Sequence, residues 1–142
     1  MSLKKNNQTI RIISTGIILF LIILTVIYFL VVNSSSEELL YKTADKMNQS
    51  LPTMIDDETR GDSASVKGKE ILLFHYTLIN YEKEDLDTES IKKQFKPILL
   101  YNLKQSNELI PLKKNKITFG YTYKDKNKNE VFTFYLTPEM YK

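Results

Sequence analysis

The chain has 142 residues, with 20 basic and 17 acidic side chains, one histidine and no cysteine. Without cysteine it has no disulfides and no zinc–thiolate site, so a folded domain must be held by its core. Three of the basic residues precede residue 12, so residues 33–142 carry 17 basic and 17 acidic side chains. A neutral domain lacks the overall positive charge on which nucleic-acid binding depends.

Residues 12–32 form an apolar run without a charged side chain, IISTGIILFLIILTVIYFLVV. At about 1.5 Å per residue, a helix of this length spans the apolar core of a bilayer, so the run predicts a transmembrane anchor. A cleavable signal peptide is the alternative, because the basic residues Lys4, Lys5 and Arg11 precede the run. Signal peptides have a shorter apolar core of about 7 to 15 residues, which favours the anchor.

The predicted anchor divides the chain into three parts. Residues 1–11 are a cytoplasmic tail, residues 12–32 cross the membrane, and residues 33–142 form a domain outside the cytoplasm. The orientation follows from the positive-inside rule, since the basic residues of this region all precede the span.

The first elements after the span are a helix and two strands. Ser35 and Glu38 have the spacing of a capping box, and Pro52 ends the helix. A short strand is predicted at residues 62–66. The run at residues 70–80 predicts a stronger strand, and both of its faces are apolar, which is typical of a central position in a sheet. The apolar face of the helix contains Leu40, Ala44, Met47 and Leu51.

A second helix begins with Asp87 or Thr88 as its N-cap. Pro97 falls inside the helical pattern, where we expect it to kink or interrupt the helix. The apolar positions at helical spacing are Ile91, Phe95, Ile98 or Leu99, and Leu103.

The C-terminal region predicts a β-hairpin. Residues 116–124 and 130–137 alternate as strands do, and the polar residues 125–129 connect them. The predicted order is therefore helix, two strands, helix, two strands. This order is typical of an α+β domain in which two helices pack on one face of a small antiparallel sheet.

Several short sequences along the domain resemble a group of small bacterial membrane-anchored or exported α+β domains of uncharacterised function. The resemblance spans residues 37–141 and implies a place in the bacterial envelope without implying an activity. The residues that carry it are Leu51-Pro52, Asp56, Thr59-Arg60, Asp62, Tyr76-Thr77-Leu78-Ile79-Asn80 and Thr137-Pro138.

Sequence patterns that indicate catalysis or metal binding are few. His75 lies in an apolar strand, which favours a structural role. Residues 125–129 resemble the start of a calcium loop, but the glycine and the glutamate required further along are absent. We therefore expect no enzyme activity, no cofactor and no metal. The alternative is a carboxylate-based hydrolase using Asp56, Asp57 or Asp62.

Two groups of residues are candidates for binding a partner. One is a charged cluster beside a turn, and the other is a set of tyrosines whose rings can be buried while their hydroxyls stay in water. The candidate partner-binding residues are Asp56, Asp57, Arg60 and Asp62 in the cluster, and Tyr121, Tyr123 and Tyr135 among the tyrosines.

These observations predict a non-catalytic, single-pass protein of the bacterial cytoplasmic membrane. Its domain would bind another cell-envelope protein, for example as an accessory subunit of a secretion or conjugation complex. An inhibitor or immunity protein is the alternative, and a hydrolase is a further one.

Overall fold

A computed structural model describes residues 22, 23, 25, 26 and 36–142. Residues 22, 23, 25 and 26 are helical, and Ser36–Lys142 is a compact unit. The predicted tail, residues 1–11, and most of the predicted anchor, residues 12–32, lie outside the described residues. Among the residues that are described, no helix has the length and apolar character needed to cross a membrane. The predicted domain boundaries stay predictions.

Helices and strands alternate irregularly along the compact unit. Residues 36–48 are helical and are called α1. A 3₁₀ turn at Lys83–Asp85 precedes the second helix. The other elements, in chain order, are β1 (Thr53–Met54), β2 (Thr59–Lys67), β3 (Ile71–Leu78), α2 (Thr88–Gln105), α3 (Ile110–Lys114), β4 (Thr118–Lys124), β5 (Glu130–Leu136) and α4 (Pro138–Tyr141).

The five strands form one mixed sheet in the order β1-β2-β3-β4-β5. Neighbouring strands are antiparallel except β3 and β4, which are parallel. The predicted antiparallel sheet, with the order helix, two strands, helix, two strands, is therefore wrong. The connection through α2 and α3 returns the chain to the end where β3 begins, so β4 runs in the same direction as β3. Strand β1 and the short helices α3 and α4 were also absent from the predicted order.

At both ends of α2, side chains form hydrogen bonds with backbone groups that have no partner within the helix. Asp87 is the N-cap, and its carboxylate accepts hydrogen bonds from the backbone N–H and the hydroxyl of Ser90. At the other end, the ammonium group of Lys113 donates to the carbonyl oxygens of Leu103, Lys104 and Ser106 at 2.9–3.0 Å. A cation at this end also suits the negative pole of the helix dipole. The helix continues through Pro97, so Pro97 does not interrupt it. A kink there, the other expected effect, stays a prediction.

The core lies between the helices and one face of the sheet. Leu72, Phe119 and Leu136 occupy facing positions on β3, β4 and β5 and are fully buried. Leu40 of α1, Leu103 of α2 and Leu112 of α3 are buried in the same cluster. The opposite face of the sheet, called the polar face, carries Ser65, His75, Thr77, Thr122, Thr133 and Tyr135.

Candidate functional site: an aromatic cleft beside the second helix

Two rows of aromatic rings cross the sheet on the side of the helices. In one row, Tyr121 stacks between Phe74 and Phe134, with centroid distances of 5.2 and 5.5 Å. In the other row, Tyr123 lies between Tyr76 and Phe132, each 4.9 Å away. The rows arise because alternate residues of three neighbouring strands are aromatic and the pairing register places them side by side.

A cleft of about 450 Å³ opens over these rings, between α2 and the sheet. The sheet contributes the aromatic rings, and α2 contributes apolar side chains together with the polar Asn102. Ile98, on the rim, is 57% exposed. A volume of this size, with a mainly apolar lining and few polar groups, is typical of a binding site. The residues that line the cleft are Met47, Ile55, Asp56, Thr59, Phe74, Tyr76, Phe95, Ile98, Leu99, Asn102, Leu103, Ser106, Leu109, Tyr121 and Tyr123.

The tyrosines of the cleft are buried and keep their protons at neutral pH. Tyr121 is 5% exposed and Tyr123 is 4% exposed. Burial raises the pKa of Tyr76 to about 12. Burial raises the pKa of Tyr121 and Tyr123 too, and the nearby Tyr76 phenol adds to both shifts. Among the described residues, no hydrogen bond joins the hydroxyl of Tyr121 or Tyr123 to another group. Every buried side-chain nitrogen or oxygen in this part of the chain has a partner, so these two hydroxyls are accessible to water.

One acidic residue lines the cleft, and two more lie around a hollow next to it. Asp56 lines the cleft, and it also lines an adjacent hollow of about 620 Å³ together with Asp57 and Glu58. The carboxylate of Asp56 accepts hydrogen bonds from the backbone N–H groups of Glu58 and Thr59, and these bonds lower its pKa. Asp56 is therefore charged at neutral pH. We call Asp56, Asp57 and Glu58 the acidic mouth.

The structure divides the predicted binding residues between different places. Asp56, Tyr121 and Tyr123 line the cleft, whereas Asp57 borders only the adjacent hollow.

The other three residues do not line the cleft. Arg60 and Asp62 form an ion pair at 2.6 Å, and Asp62 also accepts a hydrogen bond from Thr77 on the polar face. Tyr135 lies on the polar face, where its ring approaches the ammonium group of Lys67 at 6.0 Å. A partner-binding role for all seven residues stays a prediction.

His75 and Ser65 are hydrogen-bonded on the polar face, with 2.7 Å between the imidazole Nε2 and the hydroxyl Oγ. A nucleophile and a base at this distance suggest a catalytic pair. The Asp62 oxygens accept hydrogen bonds from Arg60 and Thr77. Among the described residues, neither Asp62 nor any other third group is hydrogen-bonded to the imidazole, and the contact is explained by two polar neighbours on adjacent strands.

The hairpin turn between β4 and β5 is organised by one buried carboxylate. Asp125 is fully buried and accepts hydrogen bonds from the backbone N–H groups of Lys83, Asn127 and Asn129 and from the amide of Asn129. Both carboxylate oxygens are thus engaged by N–H donors. Within the described residues, no cluster of three or more His, Asp or Glu side chains could hold a metal ion.

Comparison with known proteins places residues 34–133 in the family described as "Domain of unknown function (DUF8479)". The chain belongs to this family. This partly confirms the resemblance seen in the sequence, namely to a small bacterial α+β domain whose function is poorly defined. No curated protein sequence matches the chain.

Three solved structures share the fold. A Pseudomonas aeruginosa protein, suggested to be secreted, has a TM-score of 0.63 at 16% identity, covering 78% of this chain and 96% of that one. The pilotin EpsS of the Vibrio vulnificus type 2 secretion system has a TM-score of 0.62 at 7% identity, covering 78% and 94%. The pilotin AspS of the Vibrio cholerae type II secretion system has a TM-score of 0.58 at 12% identity, covering 76% and 94%. Identities this low show a common fold alone.

The predicted location, as a single-pass protein of the cytoplasmic membrane, is corrected by two findings. No helix in the described part of the chain is suited to crossing a membrane. The three similar structures named above are two secretion-system pilotins and a protein suggested to be secreted. The prediction was wrong, and it had rested on the sequence, namely the apolarity of residues 12–32 and the basic residues that precede them.

Sequence reasoning did not find the cleft as a site. It assigned to the apolar face of a helix the positions Ile91, Phe95, Ile98 or Leu99, and Leu103. The helix is correct, but the space beside that face depends on where α2 lies over the sheet. One feature of the sequence could have indicated the cleft. The apolar positions of α2 include Ile98 as well as Phe95 and Leu99, so its apolar surface is wider than the face that packs against the core.

Proposed function

We propose that this protein is a non-catalytic accessory component of a cell-envelope secretion machine, and that it binds a partner protein through the aromatic cleft. The observation that carries the proposal is the cleft itself, an open apolar space of about 450 Å³ lined by aromatic side chains. The fold shared with two pilotins of type 2 secretion systems supports the choice of setting.

The shape of the cleft favours an inserted segment over a flat protein surface. The cleft lies between a helix and a sheet, and partly buried rings such as Phe74 and Phe95 line it. Apolar side chains from a partner would cover these rings and the exposed Ile98, and the apolar area removed from water would stabilise the complex. Amphipathic segments commonly bind in this way, with an apolar face laid into a groove.

Catalysis is not part of the proposal, because two of the three candidate carboxylates have other roles. Asp56 accepts hydrogen bonds from the backbone of its own turn, and Asp62 binds Arg60 and Thr77. These two carboxylates also lie in different places, since Asp56 lines the cleft and Asp62 is hydrogen-bonded to Thr77 on the polar face. A hydrolase of the predicted kind would need two of these carboxylates to act on the same water.

A matched pair of substitutions on α2 tests the proposal. Ile98 and Tyr101 are both exposed and apolar, at 57% and 65%, but only Ile98 lines the cleft. We expect Ile98→Glu to abolish cross-linking of the full-length protein to its partner in the native bacterium, while Tyr101→Glu leaves it intact. Circular dichroism would show whether both variants keep the fold. Equal cross-linking by the two variants would exclude the cleft as the binding site.

The identity of the cross-linked protein separates this proposal from an inhibitor or immunity protein. A structural component of a secretion machine supports the proposed function. A toxin or an enzyme held in the cleft would support the alternative.

A further inference from the structure

The cleft presents the edges and hydroxyls of its tyrosines rather than their ring faces. Tyr76 is nearly parallel to Tyr121 and Tyr123, with interplanar angles of 7° and 20°. Phe74 and Phe134 cover Tyr121 at angles of 29° and 19°. Because neighbouring rings occupy these faces, an incoming cation would find little free π surface. The tyrosine hydroxyls suit hydrogen-bonding groups better.

The hydroxyls of Tyr121 and Tyr123 favour an occupant that can form hydrogen bonds with them. Both side chains are more than nine-tenths buried, and neither hydroxyl is hydrogen-bonded to another described residue. Since no buried polar side-chain atom in the described residues lacks a partner, these hydroxyl oxygens are accessible to water. A wholly apolar occupant, such as an acyl chain, would remove these hydroxyls from water without replacing their hydrogen bonds, and this is unfavourable. Each hydroxyl can donate a hydrogen bond to a carbonyl oxygen.

The acidic mouth adds a requirement on charge. Asp56 lines the same cleft as the two phenols, and its negative charge contributes to the raised pKa of Tyr123. Asp57 and Glu58 stand beside it around the adjacent hollow. An anionic occupant, such as a fatty acid, would be repelled here, whereas a basic side chain would be attracted.

One element of protein structure combines free carbonyls, apolar side chains and a basic group. In the last turn of an α-helix, four backbone carbonyls have no partner within the helix. Lys and Arg are favoured there, because they interact well with the negative end of the helix dipole.

We infer that the cleft binds the last turn of an amphipathic helix of the partner, and that this turn carries a Lys or Arg which pairs with the acidic mouth. In this arrangement the phenols of Tyr121 and Tyr123 donate to the terminal carbonyls of the helix. The apolar side chains of the helix pack on Phe95, Ile98 and Leu99 of α2. The inference rests on the proposed function and specifies the chemistry of the segment that is bound.

Synthetic peptides test this inference directly. The probes are three amidated amphipathic peptides of about 16 residues, long enough to form a helix, which differ only in ending with Lys-Arg, Gln-Gln or Glu-Glu. Fluorescence anisotropy with the full-length protein gives the dissociation constant of each. We expect the Lys-Arg peptide to bind at least about fivefold more tightly than the Gln-Gln peptide, and the Glu-Glu peptide to bind most weakly.

Substitutions that remove one group at a time identify the contacts. Tyr121→Phe and Tyr123→Phe keep the stacked rings, and each should weaken binding of the Lys-Arg peptide about threefold to tenfold. Asp56→Asn keeps an oxygen for the backbone N–H groups that Asp56 binds, and it should reduce the preference for the Lys-Arg peptide. The controls are Tyr101→Phe, on α2 but outside the cleft, and Asp45→Asn on α1, which should leave all three affinities unchanged.

Three results would overturn the inference. One is equal binding of the three peptides, another is binding that tolerates both Tyr→Phe substitutions, and the third is no binding of any peptide to the unmodified protein. None of these contradicts the proposed function, because the comparison of Ile98→Glu with Tyr101→Glu tests the cleft with the natural partner. If Ile98→Glu keeps that partner, both proposals fail.

Discussion

At the scale of single residues, His75 links the stability of the domain to pH. Burial lowers the pKa of its imidazole, and the positive charge of Lys124 lowers it further, against a smaller opposing effect of Asp62. Because the pKa in the folded state is below the value of about 6.5 for an unfolded chain, the folded state favours neutral His75. The stabilising effect is complete above about pH 6.5 and is lost as the pH falls through the folded-state pKa.

We therefore expect the free energy of unfolding to decrease between about pH 7 and pH 5, and this decrease to shrink in His75→Gln. His75 is the only histidine of the chain, so few other groups titrate in this range. Chemical denaturation at a series of pH values measures the effect. Ser65→Ala is the control, since it removes the hydrogen bond to His75 and leaves the titrating group in place. Parallel pH profiles for the parent and His75→Gln would contradict the expectation.

At the scale of elements, one amide side chain connects α1 to the sheet. The amide of Asn48 donates to the carbonyl of Ala64 at 2.9 Å, and its oxygen accepts from the N–H of Ala64 at 2.7 Å. Strand β1 pairs with β2 only at Arg60 and Gly61. Asn48 therefore continues, through its side chain, the pairing that the short β1 does not provide at Ala64.

We expect Asn48→Ala to destabilise the domain by about 1–3 kcal/mol, because both backbone groups of Ala64 lose their partner. Asn48→Asp keeps the acceptor and loses the donor, so its cost should be intermediate at neutral pH. Urea denaturation measures both changes, with Gln49→Ala as a control on the neighbouring exposed position. A cost for Asn48→Ala no larger than that of the control would show that α1 is held by its apolar contacts alone.

The elements also show what the sequence could and could not predict. The apolar alternation at residues 70–80, 116–124 and 130–137 located β3, β4 and β5 to within a few residues. Apolar residues on both faces of β3 indicated a central strand, and β3 has a neighbour on each side. Strand direction could not be predicted in the same way. It depends on how the α2–α3 connection crosses the sheet, and alternation is the same in parallel and antiparallel strands.

For the candidate site too, the sequence predicted residues but not their packing. Asp56, Tyr121 and Tyr123 were among the predicted binding residues, and the structure brings them together in one cleft. The sequence also offered the tyrosines as candidates for a partly exposed surface. The rings of Tyr121 and Tyr123 are buried, with Tyr76 beside both and Phe95 against Tyr123. Burial by a helix distant in sequence cannot be inferred from the alternation of a strand.

At the scale of the whole molecule, the described unit is held by one apolar core. Ser36–Lys142 is compact, and its buried side chains form a single cluster drawn from the helices and the sheet. With no cysteine in the chain, the stability of this unit depends on packing and hydrogen bonds. Phe119 lies at the centre of the cluster, is fully buried, and meets the ring of Tyr141 edge-on at 5.6 Å. Tyr141 in turn donates a hydrogen bond to the carbonyl of Ile117.

We therefore expect a fragment of residues 36–142 to unfold in one cooperative transition that reductant does not alter. Phe119→Ala should cost about 3–5 kcal/mol, which is much of the total stability of about 5–15 kcal/mol that is usual for a domain. Phe74→Ala should cost less, because its ring is only partly buried at the cleft. Thermal and urea unfolding of the three proteins measures this. If Phe74→Ala were as costly as Phe119→Ala, the ring of Phe74 would be a core residue, and the cleft over it would be closed in solution.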